Sequence, residues 1–327
     1  MVQYKPMPRR ELPIAVALLA LIVTVSIAQP RFLSESSIQS VLLWLPLIAV
    51  CAMGQMLVIL TRGIDVSVGS TLALAGMLTA MLLRDHKDLN VFLAAAIGAA
   101  IGGGLGTVNG VLIAYARVPA IVATLATMGI YRGLAFVVSG GVQVNDYEIP
   151  KALAAWTTTG LFNNKLPGVV LVAVLVASLT HAFLTRTRTG RNLYAIGGNP
   201  DAAALRGVPV RPVILLSYVL CGVGAGLAGV LYASRFGNVN PASIGSGFEL
   251  LVIAAAVIGG TSIFGGVGSA TGAFLGCVLL GVINVALAVL QIADTWQTAV
   301  YGLVILSAVL FDDATARRLR LSATGEE

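Results

Sequence analysis

The chain has 327 residues, 57% hydrophobic and only 10% charged, with a mean hydropathy of +0.93. A soluble chain is about a quarter charged, so this composition excludes an ordinary soluble domain. The formal charge of +6 is no nucleic-acid footprint, because the basic residues stand in short loops between apolar runs, where they report topology. With 37 glycines and 6% aromatics, the composition also points away from an outer-membrane barrel and toward closely packed membrane helices. The expected class is an all-α polytopic membrane protein built as one transmembrane domain over residues 1–327.

Apolar runs long enough for about 30 Å of hydrocarbon fall at residues 12–28, 41–60, 66–83, 91–115, 119–138 and 168–184. They continue at 213–231, a short run at 250–259, 268–292 and 298–311, which makes about ten crossings with short or broken members. Lys5, Arg9 and Arg10 precede the first run in the manner of a signal peptide, but no small-residue cleavage site follows, so it reads as a retained helix. An even number of crossings puts both termini on one side. Thirteen lysines and arginines then lie on that side and six on the other, with Arg132 inside a helix. The positive-inside rule makes both ends cytoplasmic.

Two loops are long. The outer one, 139–167, carries Asp146, Glu148, Lys151, Trp156 and Lys165, enough chain for a lid or docking ledge. The cytoplasmic one, 185–212, contains a helix start and stop: Asn199 can N-cap, Pro200 suits the first helical position, Asp201 suits the positive helix end, and Gly207 terminates. Ala202, Ala203 and Ala204 leave room for a close partner.

Gly98, Gly102, Gly106 and Gly110 recur every four residues in the fourth run, and Gly268, Gly272 and Gly276 do so in the ninth. At 3.6 residues per turn these are flat ridges for helix packing. The GxGxxG within Gly222 to Gly229 lies inside an apolar helix and follows no strand, so a dinucleotide site is not expected. No phosphate loop, catalytic constellation or metal-ligand spacing is present: Cys51, Cys221 and Cys277 lie in apolar runs, and His86 and His181 stand alone. The expectation is no enzyme, no cofactor and no metal.

Unwound backbone at membrane depth survives only where protein or water satisfies it, and paired interruptions are the best sequence pointer to a transport path. Residues 61–70 place Asp65, Ser67 and Ser70 at one such junction, and residues 247–269 hold the other. Arg132, about 9 Å from the outer end of its helix, either pairs with Glu249 at the start of the eighth run to close or shape the outer half of the path, or the two charges snorkel independently. Asn109 either lines the path or bonds between helices.

"LTRGIDVSVGS" (61–70 with Leu60), "PAIVATLATMGIYRGL", "RTGRNLYAIGGNPDAAALRGV" and "GFELLVIAAAVIGGTSIFGGVGS", in this order, resemble the permease subunits of bacterial ATP-binding-cassette importers for ribose, xylose, arabinose, rhamnose and autoinducer-2. The resemblance runs from about Leu12 to Phe311, is closest to the rhamnose and autoinducer-2 permeases, and implies a type II-like importer permease in the inner membrane. It further implies a cytoplasmic ATPase with two fused nucleotide-binding halves, a second permease chain (a copy or a paralogue), a periplasmic sugar-binding protein and surrounding lipid. Asn199 to Gly207, with Asn199, Pro200, Asp201, Ala203, Arg206 and Gly207 as contacts, would be the coupling helix docked on the ATPase. The glutamate that opens this signature in many other importers is absent, Asn199-Pro200-Asp201 standing there instead. The implied mechanism is alternating access without substrate chemistry. The alternative is a secondary transporter driven by an ion gradient, for which only Asp65, Arg132 and Glu249 lie near membrane depth.

Overall fold

The computed structural model describes residues 11–160, 166–293, 296, 298–303, 306 and 307. Within them run the helices α1 (Glu11–Ala28), α2 (Glu35–Leu60), α3 (Val68–Asp85), α4 (Val91–Ala114), α5 (Ala120–Ser139), α6 (Lys151–Thr158), α7 (Val169–Arg186), α8 (Arg188–Gly198), α9 (Pro200–Leu205), α10 (Val210–Phe236), α11 (Phe248–Ile258) and α12 (Ala270–Val289). Seven of these, α1, α2, α4, α5, α7, α10 and α12, are long and apolar enough to cross a membrane. Helix α3 is an apolar helix that ends in Arg84-Asp85, and α11, at 11 residues, rises about 16 Å, half of a hydrocarbon core. The chain is an all-α polytopic membrane protein. The tenth expected crossing, 298–311, lies partly outside the described residues, as does Lys165.

The apolar runs located the spans, and polar caps set where they begin. Helix α2 starts six residues before its apolar run because the Ser34 hydroxyl accepts from the Ser37 N–H at 3.4 Å and Glu35 sits in the first turn. Asn90 caps α4 through Phe92 N–H at 2.8 Å, and Ser269 caps α12 through Gly272 N–H at 3.0 Å. Because α12 begins at Ala270, Gly268 is outside the helix and packs instead against Thr261. The polar stretch after α7, expected as loop, forms α8: Thr187 caps it, and its buried residues Gly190, Leu193, Ile196 and Gly197 fall on one face.

Helix α10 is the hub, and small residues bring its neighbours in on three sides. A Cβ on Gly102 of α4 would lie 2.1 Å from the Gly222 carbonyl, and one on Gly226 would lie 2.0 Å from that of Gly98. Gly106 meets Tyr218 and Gly110 meets Leu215 in the same way. On another face a Cβ on Gly224 would lie 2.7 Å from the Val50 carbonyl of α2, and on a third one on Gly229 would lie 2.6 Å from the Leu72 carbonyl and against Gly76 of α3. The residues that formally spell GxGxxG are thus a three-way packing surface. On α12, Gly272 and Gly276 seat against the Gly259 and Ala255 carbonyls at the end of α11. Exposed large apolar side chains cluster on α1, α4, α5 and α7, which form the outside of the bundle.

The described residues of the outer loop, 139–160 and 166–167, are folded onto the bundle. Val144 and Val239 pair as an antiparallel bridge, with N–O distances of 3.0 and 2.8 Å, and Ser234 donates to the Leu153 carbonyl on α6 at 2.6 Å. At the turn Asp146–Glu148, the Glu148 carboxylate accepts from the Asn145 N–H at 2.8 Å and its amide at 3.0 Å, which hold the carboxyl below its usual range. A depressed folded value means that this contribution is full above the ordinary glutamate pKa of about 4.3 and is lost as pH falls through the folded value. The protection factor of the Asn145 amide should therefore fall on acidification, whereas Glu148→Gln should carry a pH-independent value.

The hub makes a matched pair of substitutions informative. Gly102→Ala must displace backbone, whereas Gly104, on the same helix with nothing within 4 Å of its Cβ position, tolerates alanine. Gly102→Ala is expected to cost about 1–3 kcal/mol and to lower the unfolding midpoint in detergent, with Gly104→Ala equal to or above the parent.

Candidate functional site

The first interruption lies between α2 and α3. The segment 61–67 is not helical, yet it is packed inside the bundle: Gly63 lies against Tyr218 of α10, eight residues or about 12 Å from that helix's start. Its first N–H groups return to the end of α2, and its buried part finds partners in side chains. With its amide turned to the orientation that satisfies both groups, Gln55 of α2 pairs with the main chain of Asp65, nitrogen to carbonyl and oxygen to N–H, both at 3.2 Å. The Thr124 hydroxyl on α5 donates to the Ile64 carbonyl at 3.2 Å.

Around this pairing the polar side chains close a network. One carboxylate oxygen of Asp65 accepts from the Ser67 N–H at 2.9 Å and its hydroxyl at 2.6 Å. Asn109 of α4 donates to Ser67 at 2.8 Å and to the other Asp65 oxygen at 3.4 Å, and accepts from the Thr127 hydroxyl of α5 at 2.7 Å. All five residues, Gln55 included, are buried, and Asp65 makes no ion pair among the described residues. Ser70 is buried in the first turn of α3 and stands outside this network. Asp65, Ser67 and Asn109 thus come together, joined by three residues that pattern reasoning missed: Gln55, Thr124 and Thr127. Gln55 had a usable signal, being the one amide within an otherwise apolar run.

The second interruption meets the first. A Cβ on Gly69 would lie 2.4 Å from the Gly245 carbonyl and 2.5 Å from the Glu249 carboxylate, so the starts of α3 and α11 touch. The expected Arg132 to Glu249 ion pair is absent. The half-buried Arg132 guanidinium donates instead to the carbonyls of Ile244 and Pro241, because the segment 237–247 turns repeatedly and presents its carbonyls to α5. Charge pairing by sequence has no view of such acceptors.

Helix α9 stands apart at the bundle end where α2 and α4 terminate. The Asn199 side chain accepts from the N–H groups of Asp201 and Ala202, both at 3.0 Å, Pro200 occupies the first position, and Gly207, with φ of 79°, turns the chain away. Ala203 faces inward and is buried, whereas Asp201, Ala202, Ala204 and Arg206 are exposed. Leu205, which the pattern reading passed over, is 90% exposed. An apolar side chain held out on a short capped helix gives that face an anchor for contact. Among the described residues no three His, Cys, Asp or Glu side chains gather, and all three cysteines are buried and free.

The buried network yields a graded prediction. Asn109→Leu leaves Ser67, Asp65 and Thr127 each short of a partner, at about 1–3 kcal/mol per stranded group, whereas Thr127→Val removes a hydroxyl shared between Asn109 and the Thr124 carbonyl of its own helix, strands only Asn109 and should cost less. Thermal unfolding in detergent should rank the parent above Thr127→Val and both well above Asn109→Leu; equal midpoints would contradict a structural role for the network.

Residues 37–309 match the family described as "Branched-chain amino acid transport system / permease component". The chain is 38% identical over 299 residues to the ribose import permease protein RbsC of Escherichia coli (strain K12), covering 91% of this chain and 92% of that one. It is 38% identical to the D-allose transport system permease protein AlsC of the same organism over 90% of this chain and 89% of the other. It is also 37% identical to the autoinducer 2 import system permease protein LsrC of Enterobacter sp. (strain 638), over 96% and 89%. No solved structure matches. A polytopic helical bundle whose two interrupted spans meet, matched over most of its length by permeases, belongs to this family of transport permease components.

Proposed function

We propose that this chain is a membrane-spanning subunit of an ATP-binding-cassette importer, carrying a ribose- or rhamnose-like monosaccharide or autoinducer-2 inward across the bacterial inner membrane. The observation that carries this reading is the likeness to sugar and autoinducer-2 import permeases over about nine-tenths of the chain. The exposed face of α9 supplies the place where a motor acts. An ATPase subunit with two fused nucleotide-binding halves docks there, with Leu205 as the apolar anchor and Asp201 and Arg206 as flanking charges. Ala203 sets the seat of the helix on the bundle and makes no outward contact.

Both termini and α9 are cytoplasmic in this reading, in keeping with thirteen basic residues on that side against six. A periplasmic binding protein delivers the sugar to the opposite face, which carries the outer loop, and a second permease, a copy or a paralogue, completes the path. ATP hydrolysis belongs to the separate subunit, and this chain performs no covalent chemistry. Arg132 and Glu249, half-buried beside the meeting point of α3 and α11, border the path. Asp65, Ser67 and Asn109 form its floor, and movement of α9 switches the paired permeases between outward and inward openings.

Affinity purification from native membranes in mild detergent tests the assembly. The parent should bring down an ATPase with two nucleotide-binding halves and a permease partner, and Leu205→Asp should lose the ATPase while keeping the permease partner. Recovery of the chain with no ATPase, or undiminished ATPase with Leu205→Asp, contradicts the docking assignment.

A further inference from the structure

Arg62 is the second residue beyond α2, and its backbone takes a left-handed φ of 66°, unusual for a residue with a Cβ. The chain turns there because the N–H groups of Thr61 and Gly63 both return to the Val58 carbonyl, at 3.0 and 3.1 Å, and that of Arg62 to Ile59 at 2.9 Å. The turn aims the side chain across the bundle end. Its Nε donates to the Gly197 carbonyl at 2.7 Å and its Nη2 to the Gly198 carbonyl at 2.6 Å. These are the last two residues of α8, directly before Asn199, the cap of α9. A rigid fork of donors on the free carbonyls of a helix C-terminus satisfies groups that the helix itself leaves open.

A second strand of contact lies beside the first. The Gly266 N–H donates to the Leu60 carbonyl at 3.0 Å, and a Cβ on Gly197 would lie 1.9 Å from that carbonyl and 2.2 Å from the Gly266 nitrogen. Gly265 packs on the Arg62 side chain, and the Tyr194 hydroxyl of α8 donates to the Gly268 carbonyl at 3.0 Å. The end of α2, the end of α8 and the 259–269 segment between α11 and α12 thus interlock. Both interrupted spans meet the root of α9 at this point, and Asp65, held by Gln55 and Asn109, is three residues along the chain from Arg62.

We propose that Arg62 is the positioning residue that makes α9 mechanically continuous with the interrupted spans. Its guanidinium clamps the junction between α8 and α9 to the 61–67 turn, so that a displacement of α9 carries this turn and the 259–269 segment with it. This rests on the coupling role given to α9 above. The same contacts in a merely stabilising role would affect folding and leave the ratio of transport to hydrolysis untouched.

The test uses the complete complex, with the co-purifying ATPase, second permease and binding protein, in proteoliposomes, and measures sugar imported per ATP hydrolysed. For Arg62→Ala the ATPase should stay bound and hydrolyse within about two-fold of the parent rate, while sugar per ATP falls at least ten-fold. Arg62→Lys, which keeps the charge and loses the fork, should lie between the two. Gly266→Ala, which leaves the arginine in place but presses a Cβ on Gly197 and Gly198, the residues it clamps, should uncouple in the same direction and keeps the test open if Arg62→Ala does not fold. An unchanged sugar-per-ATP ratio in the folded Arg62→Ala or Gly266→Ala complexes overturns the proposal. Loss of the ATPase from the Arg62→Ala complex also overturns it, by making Arg62 a docking contact. A parent complex that imports sugar without hydrolysing ATP would instead bring down the importer reading itself, and the proposal with it.

Discussion

The pairing of the Gln55 side chain with the backbone of Asp65 is the contact on which the rest of the architecture depends. A stretch of seven non-helical residues inside an apolar bundle leaves peptide groups that hydrocarbon cannot satisfy. One amide side chain takes the place of a neighbouring strand, making two hydrogen bonds to one residue, and Thr124 takes up the carbonyl before it. Once the backbone is satisfied, the Asp65 carboxylate is free to draw Ser67 and Asn109 together, and Asn109 to hold Thr127 on α5. Three helices, α2, α4 and α5, and a turn are thereby fixed in register around one buried carboxyl by neutral donors.

Glycine packing supplies the rigid surround. Backbone-to-backbone contact on three sides of α10 leaves little room for sliding, whereas α9 carries a single inward alanine and a nearly bare leucine. Stiffness in the middle and exposure at the end are what a lever needs: a surface that another protein can push, joined to elements that move only as units. The interrupted spans are the natural units, because each ends in turns and their helix starts touch at Gly69 and Gly245.

Much of this was legible before any coordinates, and the failures share a physical cause. Spans, the 61–70 break, the short eighth crossing and the cap of α9 all come from local chemistry: apolar runs, glycine pairs, and an Asn-Pro-Asp start. What stayed hidden depends on where distant backbone lies. Arg132 was matched to a carboxylate because sequence shows charges, whereas its partners are main-chain carbonyls of a turn more than a hundred residues away. Helix α8 reads as loop because its arginines and glycines mask one buried face, and Gln55 and Thr127 read as isolated polar interruptions until the chain brings Asp65 and Asn109 to them. Ala203 and Leu205 exchange the exposures that composition suggests: the small residue is buried and the large one stands out.

The central claim is that an external motor, acting through α9, drives this bundle. The most direct measurement is uptake into proteoliposomes containing the parent complex, with binding protein and labelled sugar outside, with and without internal ATP, and with ionophores that collapse proton and sodium gradients. Accumulation that requires ATP and binding protein and persists with the ionophores is the predicted result. Accumulation that follows an imposed ion gradient without ATP would contradict the account and make the buried Asp65 the first residue to examine as an ion site.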